Sequence, residues 1–75
     1  MRDIRRPFSE WLYKAAERHG SISKVADMVG VNRMTIYRWE SMPDTIPTRF
    51  YQRMLAAGEM STHEVLNIII GEEDR

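Results

Sequence analysis

Apolar side chains recur along this chain in short runs at helical spacing, each broken by a glycine or a proline, and the pattern predicts five helices. Pro7 suits a first helical turn, where its missing N–H loses no partner. Phe8, Trp11, Leu12, Ala15 and Ala16 then repeat at helical spacing until Gly20 ends the run. Ser21 or Ser23 can cap a second helix running to Met28 or Val29, with Lys24 and Asp27 on its outer side. Val25, Val29, Val31, Ile36 and Trp39 cannot share one face of a single continuous helix, because Gly30 interrupts the pattern and the phase restarts after it. Two short helices joined by a tight turn satisfy it. Ala26 is small where the helices must cross closely, Gly30 takes a positive φ without Cβ strain, and Asn32 stands where an N-cap belongs. The third helix is expected over residues 32–40. Its apolar residues join the inner seam, and Arg33, Met34, Thr35, Tyr37 and Arg38 face outward.

Residues 41–46 contain Pro43 and Asp44 and read as a loop. Pro47 is expected at a first helical position with Thr45 as its cap. Phe50, Tyr51, Met54 and Leu55 then form the inward stripe of a fourth helix closed by Gly58. Arg49 and Arg53 lie on its other side, either as phosphate ligands or as a plain solvated face. Ser61 and Glu64 have capping-box spacing, and Met60 with Val65 has that of a hydrophobic staple, so a fifth helix should begin near Thr62. Its apolar residues Val65, Leu66, Ile68, Ile69 and Ile70 spread over more than half the circumference at ~100° per residue, wider than the stripe a surface helix normally hides. A second copy of the chain is the simplest cover for the remainder. The alternative is that the β-branched Ile68, Ile69 and Ile70 form a short pairing strand.

The stretch from Ile22 to Trp39 resembles the helix-turn-helix of the phage Cro and repressor family, with Ala26, Gly30, Ile36 and Trp39 at the family's spacings. A looser likeness extends to His19, Gly20 and Ser21 before it. After it, a tryptophan near the end of the third helix is followed by an Ile-Pro step, here Ile46 and Pro47. The resemblance implies an all-α, five-helix, lambda-repressor-like domain over residues 1–75, with the helix-turn-helix at 21–40; the apolar excess makes residues 61–70 its expected dimerisation element, formed by Val65, Leu66, Ile68, Ile69 and Ile70. It further implies double-stranded DNA as the partner, with the third helix in the major groove. Arg33, Met34, Tyr37 and Arg38 would then read bases, and Ser21, Ser23, Lys24, Asn32 and Thr35 would hold phosphates.

Side-chain chemistry agrees with those roles. A guanidinium at Arg33 or Arg38 can donate two hydrogen bonds to guanine O6 and N7, worth roughly 1 to 3 kcal/mol against a wrong base. Met34 has no donor and suits a thymine methyl; Tyr37 offers apolar surface or a hydroxyl bond. Packing against a neighbouring loop is the alternative for both, and for Tyr37 a nearly equal one. The glutamine-rich readers common in the family are absent here, which leaves the operator sequence open. Trp39 is expected in the core, anchoring the third helix from behind.

Formal net charge is zero, which argues against a polyelectrolyte grip on nucleic acid, yet the distribution is uneven. Residues 1–57 hold ten Lys or Arg against six Asp or Glu, giving +4; residues 58–75 hold one against five, giving −4. The basic part carries the helix-turn-helix. The acidic end, with Glu72, Glu73 and Asp74, should point away from phosphate. Arg2, Arg5 and Arg6 make residues 1–6 a basic arm, either solvated or reaching a phosphate or the minor groove.

With no cysteine, the chain has neither disulfides nor a thiolate zinc site, which suits a reducing cytoplasm. No run approaches the roughly 18 apolar residues of a membrane span, and residues 1–6 lack the apolar core of a signal peptide, so a soluble cytoplasmic protein is expected. His19 and His63 lie in different helices without ligand spacing, and no nucleophile has a partner base. An enzyme is not expected, nor a cofactor, a metal or a small-molecule ligand. A two-fold dimer would set two recognition helices ~34 Å apart and read an inverted repeat, and occupying an operator that overlaps a promoter is sufficient for repression. The competing expectation is an antitoxin or inhibitor that keeps this fold and grips a protein through its apolar C-terminus.

Overall fold

The computed structural model describes residues 6–73. Among them are five α-helices and one short 3-10 turn: α1 (Pro7–His19), α2 (Ile22–Val29), α3 (Arg33–Ser41), the 3-10 turn (Pro43–Thr45), α4 (Thr48–Ala56) and α5 (Thr62–Glu73). The domain is all-α. No strand occurs among the described residues, and Ile68, Ile69 and Ile70 lie within α5. No described helix is long and apolar enough to cross a membrane. Of the basic arm only Arg6 is described, as the N-cap of α1; residues 1–5, and Asp74 with Arg75, lie outside the described residues.

One hydrophobic core draws on every helix, with Phe8, Trp11, Leu12 and Ala15 from α1, Val25, Ala26 and Val29 from α2, Ile36 and Trp39 from α3, Phe50 and Met54 from α4, and Ile68 from α5. Phe50 is its hub. Its ring centroid lies 6.0 Å from Phe8, 5.6 Å from Trp11, 5.1 Å from Trp39 and 5.5 Å from Tyr51, in tilted or edge-on geometry that suits the ring quadrupoles. The helix carrying the outward strip of α3 is therefore fixed through Trp39 to the centre of the domain.

Several local expectations are corrected. Thr45 does not cap α4; its hydroxyl donates to the Met42 carbonyl at 2.7 Å and closes the 3-10 turn. Pro47 is the N-cap of α4, with φ −74° and ψ 149°, one residue before the first helical position. Its fixed φ suits both places, and the buried neighbour Ile46 holds the chain extended there. Leu55 does not join the inward stripe of α4: it is 40% exposed, whereas Phe50 and Met54 are buried. The capping box of α5 forms as expected, the Ser61 N–H donating to Glu64 Oε1 at 2.8 Å and the Glu64 N–H to Ser61 Oγ at 3.1 Å.

α5 is tied back to α1 at both ends. Gly71 lies so close to the start of α1 that a Cβ there would stand 3.0 Å from Pro7 Cγ. Before α5 begins, Glu59 fastens the chain to α1. Its carbonyl accepts the Trp11 indole N–H at 2.8 Å, and its carboxylate meets Arg18 Nη2 at 2.8 Å and His19 Nε2 at 3.0 Å. Hydrogen bonds from His19 and then Arg18 hold the Glu59 carboxyl below the ordinary glutamate range.

Candidate nucleic-acid interface

The segment from Ser21 to Ser41 is built from two caps and one turn. Ser21, in extended backbone, accepts the Lys24 N–H on its Oγ at 3.2 Å and so caps α2 in preference to Ser23. At the other end the Gly30 and Val31 amides both return to the Ala26 carbonyl, at 2.8 Å and 3.0 Å. Gly30, at φ 88° and ψ 27°, then reverses the chain in the left-handed region, where a Cβ would be strained. Asn32 Oδ1 accepts the Thr35 N–H at 3.0 Å and starts α3. Val25, Val29, Ile36 and Trp39 are buried and Val31 is half-buried, so the inner seam is as the pattern predicts.

Geometry on α3 follows from ~100° per residue. Taking Arg33 as zero, Tyr37 falls at ~40°, Met34 at ~100° and Arg38 at ~140°, while Thr35, Trp39 and Ile36 occupy the opposite arc. Burial agrees: Arg33, Met34, Tyr37 and Arg38 are all exposed, Thr35 is half-buried, and Ile36 and Trp39 are buried. Met34, with 70% of its surface exposed, stands at the middle of a strip with a guanidinium at each edge. The strip is thus apolar at its centre and cationic at both edges.

Beside this strip, Ser23, Asp27, Asn32, Arg33 and Met34 line one concavity between α2 and the start of α3. Arg33 reaches back across it, Nη1 donating to Ser23 Oγ at a long 3.3 Å. The expected phosphate ligands differ in the donors left to them. Ser21 and Ser23 accept at their oxygens and keep their O–H; Asn32 caps through Oδ1 and keeps its amide N–H groups; Lys24 keeps its ammonium. Thr35 is different. Its hydroxyl donates to Asn32 Oδ1 at 3.3 Å and braces the cap.

Two residues around the helix-turn-helix, one on this surface and one behind its turn, carry more than the sequence suggested. Asp27 lines the concavity beside Arg33 and Met34, a carboxylate next to the expected phosphate ligands. Its spacing of four from Ser23 placed it on that face of α2 all along. Arg53, from α4, donates through Nη1 to the Val29 carbonyl at the C-terminal end of α2. No sequence spacing links those positions.

The expected dimerisation residues separate into two groups. Ile68 is 3% exposed and belongs to the core of its own chain, so it is withdrawn from the outer face; Val65 is half-buried against that core. Leu66, Ile69 and Ile70 are 49%, 48% and 57% exposed, and at ~100° per residue they form one continuous arc of ~100° on the outside of α5. No family model, curated protein or solved structure matches this chain.

Proposed function

We propose that this chain is a sequence-specific double-stranded DNA-binding regulator, a Cro-like repressor that lays α3 in the major groove and binds an inverted-repeat operator as a dimer. The observation that carries the reading is the exposed strip Arg33, Tyr37, Met34 and Arg38, backed by Ile36 and Trp39 in the core and flanked by hydrogen-bond donors at the start of α2 and α3. In this reading Arg33 and Arg38 pair with guanines, Met34 meets a thymine methyl, and Tyr37 adds contact to a neighbouring base. Ser21, Ser23, Lys24 and Asn32 position the helix on the backbone. The exposed arc Leu66, Ile69 and Ile70 supplies the two-fold contact.

The experiment is selection from a random duplex library, followed by footprinting and gel shift with the intact protein and an Arg33→Ala/Arg38→Ala variant. A protected inverted repeat is expected, with half-sites one helical turn, ~34 Å, apart. The double variant should bind it at least ~30-fold more weakly, about 2 kcal/mol for two lost bidentate pairs, with an unchanged far-UV circular dichroism spectrum. An intact protein that binds no duplex at low salt refutes the proposal. The exposed α5 arc favours one second reading, an antitoxin or inhibitor that uses this face to hold another protein.

A further inference from the structure

We infer that Arg53 is the positioning residue of the helix-turn-helix, setting the angle between α2 and α3 by gripping the peptide unit on which the turn pivots; the inference rests on the DNA-binding reading above. Both amides that follow α2, those of Gly30 and Val31, return to the Ala26 carbonyl. Arg53 Nη1 supplies the donor to the Val29 carbonyl. That carbonyl belongs to the peptide unit preceding the Gly30 Cα, so fixing its plane fixes the starting point of the left-handed reversal at φ 88°. A guanidinium is suited to the place twice over, as a planar donor and as a cation at the negative end of the α2 dipole.

Shape points the same way. A Cβ at Gly30 would stand 3.2 Å from Arg53 Nη1, so the guanidinium lies against the bare face of the glycine. Around it a cleft of about 230 Å³ is bounded by the Gly30 turn, Trp39, Pro47, Arg49 and Arg53. Both arginines of α4 are exposed, but they differ in partners: Arg49 has no side-chain partner among the described residues, whereas Arg53 bridges to α2. Since Phe50 packs against Trp39, α4 holds α3 through its core face and α2 through Arg53. The angle between the two DNA-facing helices is thus referred to one rigid element. Ser21 and Lys24 on α2 can meet the backbone only while Arg33 on α3 meets a base if that angle is kept.

The test compares Arg53→Met, which keeps the stem and removes the donors, with Arg53→Lys, which keeps a donor. Affinity for the selected operator and for an unrelated duplex is measured across a salt series, well below the unfolding temperature. Arg53→Met should weaken operator binding about tenfold, as for one misplaced base contact, and leave binding to the unrelated duplex unchanged. Its slope of log affinity on log salt should match the parent, and amide exchange at Gly30 and Val31 should accelerate. Arg53→Lys should recover most of the operator affinity. Equal weakening on both duplexes with a slope smaller by ~0.9 makes Arg53 a phosphate ligand and overturns the inference. Unchanged discrimination between the duplexes in Arg53→Met also overturns it while leaving the DNA reading intact. Absence of any DNA binding by the parent protein sinks the DNA reading and this inference with it.

Discussion

Replacing Phe50 with alanine tests how the core holds the outward strip of α3. The ring is 2% exposed and meets Phe8, Trp11, Trp39 and Tyr51 at centroid distances of 5.1 to 6.0 Å. Removing a buried phenylalanine costs about 3 to 5 kcal/mol, from lost transfer free energy and the cavity left behind. The upper half of that range is expected here, because the aromatic pairs add ~0.5 to 1.5 kcal/mol each in isolation and their partners Phe8, Trp11 and Trp39 come from two other helices, α1 and α3, that cannot both close the gap. For a domain of 75 residues, total stability of about 4 to 11 kcal/mol follows from ~0.05 to 0.15 kcal/mol per residue, so the variant stands at or near the unfolding threshold. Urea titration followed at 222 nm should show the midpoint falling by ~4 M or more, at a slope of about 1 kcal/mol per molar. Phe50→Leu, which keeps most of the volume, should lose less than half as much. A midpoint shift below ~1 M for the alanine variant would mean that the neighbouring rings collapse inward at little cost, and the claim that one ring holds α1, α3 and α4 together would fail.

Ser61→Ala removes the acceptor of the Glu64 N–H and should lower stability by ~1 kcal/mol in a thermal melt; an unchanged melt would show that the packing of Val65, Ile68 and Gly71 holds α5 without help from this cap. Gly30→Ala places a Cβ at φ 88° and against Arg53, and should cost about 1 to 2 kcal/mol, more than the same change at an unstrained helix end; calorimetry reads the difference. For Glu59 the folded-state carboxyl titrates below its unfolded value, so its contribution is present above the ordinary glutamate range and disappears as pH falls through the folded value. Glu59→Gln should therefore flatten the acid limb of the stability profile and leave the neutral plateau lower. Tyr51 has the opposite sign: burial raises its phenol, so its contribution is present below the ordinary phenol value and lost as pH rises through the folded one. Tyr51→Phe should shift alkaline unfolding to higher pH, and equal alkaline midpoints in the two proteins would contradict it. Ile69→Lys on the outside of α5 should convert a sedimenting dimer to a monomer without changing the helical signal, whereas a parent protein that sediments as a monomer at high micromolar concentration removes the dimer from the proposal.

Local interactions made most of this molecule readable from its residues. Gly20 and Gly30 end α1 and α2, Ser21 and Asn32 cap α2 and α3, and Ser61 with Glu64 boxes the start of α5. All of these act between residues a few positions apart, within reach of sequence spacing. The inner seam of Val25, Val29, Ile36 and Trp39, and with it the outward strip of Arg33, Met34, Tyr37 and Arg38, followed from period alone. What period could not decide was the orientation of a helix apolar nearly all round. In α5 it marked Ile68, Ile69 and Ile70 alike, and only packing on α1 and the 3-10 turn turned Ile68 inward and left its neighbours outside. The Arg53 bond to Val29, the Glu59 clasp on Trp11, Arg18 and His19, and the convergence of rings on Phe50 join positions from 24 to 48 residues apart along the chain, or helices that meet only once folded. Spacing carries no information about such pairs, because chain distance ceases to limit spatial distance once helices have closed on a shared core.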